Sequence, residues 1–211
     1  KFMADLDQIP ERGARTKDLH AQSKDLHAIA RGVHAMPRDP HVTTGAGQPM
    51  RSAWLRPELH DTKINADGGF SKIGDKGASA AVCRDKNGNY LGASTIIFEG
   101  LVDPVILEAQ ACSEALALAT DLQVQSICVA TDCCEVVTRI KDDSPCKFFP
   151  ILQDIKHQRR VFRAVEFIHE SRKHNGEAHA LAKAAASLPP GRHVWLTSVP
   201  DIICIPMTVH V

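Results

Sequence analysis

Three carboxylates stand where solubility does not account for them. Asp67 interrupts a strand-like run of small and apolar residues, KINADGGF (63–70). Glu108 lies between Leu107 and Ala109, near the start of a long Ala- and Leu-rich segment. Asp132 follows a short, nearly apolar run, QSICVAT (125–131). A charged carboxylate close to a core is costly unless it is paired or bound to a metal. Each acid also has a plainer use. Asp67 can pair with Arg84 or Lys63, Glu108 can complement a helix N-terminus, and Asp132 can cap the helix that follows it. Brought to one point, the three form a site for a hard divalent cation such as Mg2+, which takes oxygen ligands.

The elements that must position them follow from patterning. Strands are expected at 63–70, 77–84, 90–98, 126–131 and 164–169. An Asn-Gly turn in 85–89 joins the second and third as an antiparallel hairpin. Helices are expected at 106–122, 135–141, 150–160 and 175–188, the last stopped by Pro189-Pro190. Three strands, a helix, a strand, helices, a strand and a helix describe an α/β fold. Its mixed sheet should have parallel later strands and helices on both faces. In open sheets of this kind, sites collect at the carboxyl ends of strands where the order reverses. Neighbouring first and fourth strands would bring Asp67 and Asp132 together there, and the long helix would add Glu108.

The whole chain has 211 residues, 25 of them Lys or Arg and 25 Asp or Glu, so its formal net charge is zero. Nucleic acid held by bulk positive charge is excluded, and any such binding needs a local patch. Lys156, Arg159, Arg160 and Arg163 fall at offsets 0, 3, 4 and 7 and share one helix face if the helix runs that far. That face would suit backbone phosphates; equally, it is a solvated helix end with cations near its C-terminus. No apolar run approaches the roughly 18 residues of a membrane span. The seven cysteines include no CxxC, and the only close pair is Cys133-Cys134. Free thiols in a reducing compartment, nucleus or cytoplasm, are therefore expected, ahead of a disulfide framework or a zinc site. A chain beginning at Lys1 is expected to be a fragment or a processed form.

Residues 1–50 have a different texture, with few large apolar side chains. The segment Lys17–Ala21 is repeated at Lys24–Ala28, and His20, His27, His34 and His41 recur every seven residues. Helix positions seven apart are about 10 Å from each other along the axis, too far to share one metal. A short local duplication explains the repeat. This region is expected to be disordered, with a weak helix at 17–35 and a linker from Pro37 to Pro49.

The segments KINADGGF, LEAQACSEALALA, VATDCCEVV and HESRKHNGEAHALAKAA, in that order and spacing, resemble the plant ribonuclease H-like domain found beside non-LTR reverse transcriptases. That family lies in the type-1 ribonuclease H superfamily. The resemblance covers about residues 54–188, leaving 189–211 as a tail. It implies a five-stranded mixed sheet with helices on both faces. It implies that Asp67, Glu108 and Asp132 are catalytic metal ligands, that His169 is a catalytic histidine before the last helix, and that Asn175 belongs to the nucleic-acid-binding side. Glu114 matches a non-catalytic acid of the same family. The chain departs from the pattern at His179, where the family places a fourth acid. An imidazole there is either a fourth metal ligand or a surface helix residue, and Mg2+ prefers oxygen. The activity implied is hydrolysis of the RNA strand of RNA–DNA hybrids by a monomer with two Mg2+ or Mn2+ ions. The alternative is a degenerate copy that folds and binds nucleic acid but cuts little. A 3′–5′ exonuclease of the same broad fold is disfavoured, because Gly68 and Gly69 follow Asp67 where an Asp-x-Glu pair is expected.

Overall fold

The Asp85–Asn89 turn sets the register of the sheet. The Asp85 carboxylate accepts from the backbone N–H groups of Asn87 and Asn89, each at 2.8 Å, and Gly88 supplies the positive φ of 85°. The computed structural model describes residues 52–71, 75–142, 144–201 and 207–210. The duplicated segment, the helix expected at 17–35 and the linker lie outside them.

Strands β2 (Thr62–Ser71), β3 (Lys76–Asp85) and β4 (Tyr90–Glu99) form an antiparallel meander. Strand β5 (Ser126–Thr131) adds in parallel beside β2, and β6 (Ala164–His169) in parallel beside β5. These are the five strands expected. A sixth, β7 (Gly191–Trp195), pairs antiparallel with β4, so the order is β6-β5-β2-β3-β4-β7. The expectation of five strands is thus corrected. Arg192 and His193 give β7 no apolar alternation, and both lie beyond Pro189-Pro190, which reads as a terminator. A separate parallel pair joins β1 (Ser52–Leu55) to β8 (Met207–His210).

Helix α1 (Pro104–Asp121) begins at a good stop-and-start signal. The Asp103 side chain accepts from the N–H of Val105 and Ile106, and Pro104 at the first helical position has no N–H to satisfy. Helices α2 (Cys134–Asp142), α3 (Phe149–Gln158) and α4 (Gly176–Ala185) follow. Alternation along β3 divides the core between two faces. Ala81 and Cys83 face α1, α2 and α3, while Ala80 and Val82 face Ala178, Leu181 and Ala182 of α4. Small residues let helix and sheet approach closely. A Cβ on Gly68 would lie 2.6 Å from the backbone N of Glu108, so only glycine lets β2 pass the first turns of α1 at this distance.

Helix α3 is shorter than expected. It stops at Gln158 and tightens into a 3-10 turn, Arg159–Val161. The chain must leave the helix there, because the Ala164 N–H bonds to the Gln125 carbonyl at 3.1 Å to start β6 beside β5. Arg159, Arg160 and Arg163 therefore do not extend the helical face that carries Lys156.

Candidate metal centre

Strands β2 and β5 run parallel with Ala66 opposite Thr131, so the next residues, Asp67 and Asp132, emerge at the same edge. Glu108 reaches that edge from α1 because Gly68 allows the close pass described above. One carboxylate oxygen from each of Asp67, Glu108 and Asp132 lies within 4.8 Å of the other two. The convergence expected from strand order is present.

The plainer uses of the three acids are taken by other residues. Lys63 pairs with Glu170 at 2.6 Å and Arg84 with Glu177 at 2.7 Å, so neither serves Asp67. The first N–H after Asp132 is bound by the Thr131 hydroxyl, at 3.2 Å from Cys133 N. The Asp132 side chain makes no hydrogen bond among the described residues. Thr131 Oγ1 in turn donates to Glu108 Oε2 at 3.1 Å.

The electrostatics are those of buried carboxylates set close together. Burial pushes the Glu108 carboxyl up to about 8, and the charges of Asp67 and Asp132 add to the rise. The Gly68 N–H and the Thr131 hydroxyl oppose it. Asp67, also raised by burial and by Asp132, is held back by His179 and Arg172. Like charges this close share protons or a metal ion. An all-oxygen set of three carboxylates fits a hard divalent ion such as Mg2+ or Mn2+.

His179 lines the same cleft as the three acids. Its Nδ1 is 3.1 Å from Asp67 Oδ2. Arg172 Nη2 lies 2.8 Å from Nε2 and 3.2 Å from Nδ1. With Arg172 donating to Nε2, Nδ1–H donates to Asp67, and both ring nitrogens are engaged. The chain Arg172–His179–Asp67 orients a carboxylate rather than adding a fourth oxygen. Arg172 was not legible as a site residue; it is one of three consecutive basic-type residues, Arg172-Lys173-His174, and only the 3-10 turn over Arg172–His174 aims it inward.

The acids, Arg172, His179 and Lys183 line a cleft of about 480 Å3. The exposed ring of Phe70 forms part of its wall. The other expected site residues stand elsewhere. His169 ends β6, exposed, opposite Thr131 but outside the cleft lining. Asn175 does not face solvent. It is fully buried, donates to the Ala66 carbonyl at 2.8 Å and accepts from Asn65 at 3.0 Å. It thereby fastens the start of α4 to β2 one residue from Asp67. Arg163 lines a separate hollow with Gln125 and Ser126, at the amino end of β5. Arg163 therefore sits at the end of the sheet opposite the carboxylates, and neither Arg159 nor Arg160 lines their cleft.

Residues 65–185, more than half of the chain, match the profile of the reverse transcriptase-like family. No curated protein sequence matches the chain. Among solved structures, the chain is similar to RNase H1 from the archaeon Halobacterium salinarum, with 18% identity, a TM-score of 0.54, and coverage of 59% of this chain and 96% of that one. The N-terminal RNase H domain of a Mycobacterium tuberculosis protein gives 21% identity, a TM-score of 0.54, and coverage of 61% and 96%. A foamy viral protease–reverse transcriptase, solved in complex with dsDNA, gives 14% identity, a TM-score of 0.52, and coverage of 62% and 96%. The strand order, the carboxylates at its reversal point and these matches agree: the chain belongs to the reverse transcriptase-like family and has a ribonuclease H-like fold.

Proposed function

We propose that this protein hydrolyses the RNA strand of RNA–DNA hybrids in the presence of Mg2+ or Mn2+. The observation that carries the reading is the meeting of Asp67, Glu108 and Asp132 within 4.8 Å in a cleft open to solvent. Asp67, Glu108 and Asp132 would hold the metal. A divalent ion bound there activates water and stabilises charge on the phosphoryl group and the leaving oxygen. The chain's own groups keep the ligands in place: Thr131 and the Gly68 N–H orient Glu108, and His179 orients Asp67. The remaining Arg172 N–H groups are available to a phosphate oxygen. Recognition of RNA in a hybrid rests on its 2′-hydroxyls.

A second reading is favoured by one contact. The Asp67 carboxylate is bound by His179, which is bound by Arg172, and this cationic chain competes with a metal ion for Asp67. On that reading the domain binds nucleic acid and cuts little. The two are separated by incubating the protein with an end-labelled hybrid, in parallel with RNA and DNA duplexes of the same sequence, in Mg2+ and in Mn2+. Cleavage confined to the hybrid's RNA strand, and lost in Asp67→Asn, is the expected result. Binding without cleavage in either ion would establish the second reading.

A further inference from the structure

Three carboxylates repel a phosphodiester, so the chain that carries them needs positive charge beside the cleft and not only a metal within it. None of Lys156, Arg159, Arg160 and Arg163 lines the cleft of the carboxylates, and Arg163 lines a hollow at the amino end of β5. Positive charge on the cleft itself comes from Arg172 and Lys183. Lys183 follows His179 by four residues on α4, so the two share a face one turn apart, about 6 Å along the axis. Gly69 brings β2 against this face: a Cβ there would stand 3.2 Å from Ala182. His179 is anchored on Asp67 at 3.1 Å, which fixes where the next turn of α4 points. Lys183 is exposed and forms no ion pair among the described residues. One helical turn is comparable to the step between neighbouring phosphates of a strand.

We propose that Lys183 is a phosphate-docking residue for the RNA–DNA hybrid, and that the backbone runs from the carboxylates along the His179–Lys183 face of α4. The inference rests on the hybrid reading above and adds the direction in which the substrate leaves the metal site. Lys183 binds the phosphate next to the one over the carboxylates as a point charge. Arg159, Arg160 and Arg163 take no part.

The test is hybrid binding by the full 211-residue chain carrying Asp67→Asn, followed by fluorescence anisotropy over a salt series without divalent ions. Against that background, Lys183→Ala is expected to weaken binding several-fold and to lower the magnitude of the salt slope by about one. Arg159→Ala with Arg160→Ala and Arg163→Ala is expected to leave both unchanged. Lys183 is exposed and alanine favours a helix, so the thermal midpoint should not move, and a loss of binding cannot be ascribed to unfolding. An unchanged slope in Lys183→Ala overturns the docking role and leaves the nuclease reading standing. A hybrid bound through Lys183 but never cut by the parent in Mg2+ or Mn2+ leaves the docking role and removes the nuclease. A parent that binds no hybrid removes both.

Discussion

Glu108 is the residue on which the metal-free protein should reveal its site. Its carboxyl is raised from the ordinary 4.5 to about 8, first by burial and then by Asp67 and Asp132. The folded state therefore holds a proton that the unfolded state releases between these values. Stability must fall as pH rises through that window and level off above about 8, because the native state binds more protons than the unfolded one. The change is a few kcal/mol at most, and Asp67, raised in the same sense, adds to it at the acid end. Thermal melts in chelator should show a protein more stable at pH 5 than at pH 8. Glu108→Gln should flatten that dependence. A divalent ion needs the ionised form, so its stabilising effect should grow from pH 6 to pH 8. A midpoint indifferent to pH in chelator, with Glu108 present, contradicts the clustering. The three acids were legible in the sequence because a lone charge inside an apolar run has few uses. Arg172 and Thr131 were not, since a basic triplet and a strand-end threonine are ordinary until the fold aims them.

At the level of elements, two close passes build the cleft: β2 against α1 at Gly68, and β2 against α4 at Gly69. The first is the tighter, and backbone atoms line it, with a Gly68 Cβ placed 2.6 Å from Glu108 N and 2.7 Å from Leu107 C. No side-chain rotation relieves that contact. Gly68→Ala must push α1 away from β2, which should cost about 1–3 kcal/mol and displace Glu108 from its partners. Urea unfolding should report the first effect. Calorimetry with Mn2+ should report the second as a loss of affinity larger than the stability change explains. Native affinity in a destabilised variant would mean that Glu108 does not depend on this contact. The pattern of strands and helices announced these elements because each has a strong period or a strong stop signal. The glycines themselves read as part of a family motif, and their geometric reason appears only when α1 is laid across β2. Helix α3 shows the converse. A 0, 3, 4, 7 spacing at residues 156–163 looks like one cationic face, but the pairing of Ala164 with Gln125 ends the helix first. Asn175 shows another limit, since a polar residue in a motif reads as exposed while its amide here satisfies buried groups of β2.

Across the whole molecule, the strand hidden from sequence patterning is held by charge. Arg192 of β7 reaches back over the sheet to α1, donating from Nε to Glu114 Oε1 at 2.8 Å and from Nη2 to Asp121 Oδ2 at 2.6 Å. Glu114 is 3% exposed, and burial raises its carboxyl while Arg192 opposes the rise. Its place on α1 is six residues from Glu108, off the metal-facing side, so one helix carries two buried acids with different needs. Glu108 stands among like charges, and Glu114 already has its cation. Removing that cation leaves a carboxylate in the core. Arg192→Ala should therefore destabilise the protein by about 3 kcal/mol near pH 7, the low end for a broken buried pair, because the guanidinium is itself 36% exposed. The loss should shrink toward pH 5, where Glu114 without its partner takes up a proton. Glu114→Gln in the Arg192→Ala background should recover part of the stability, since an amide needs no counter-charge. Denaturant unfolding of the two single variants and the double variant gives the coupling directly. A cost below about 0.5 kcal/mol for Arg192→Ala, the size expected of an ordinary surface change, would mean that β7 is not fastened through this pair. Metal affinity should be the same in all three variants, because Glu114 and Arg192 lie outside the carboxylate cleft.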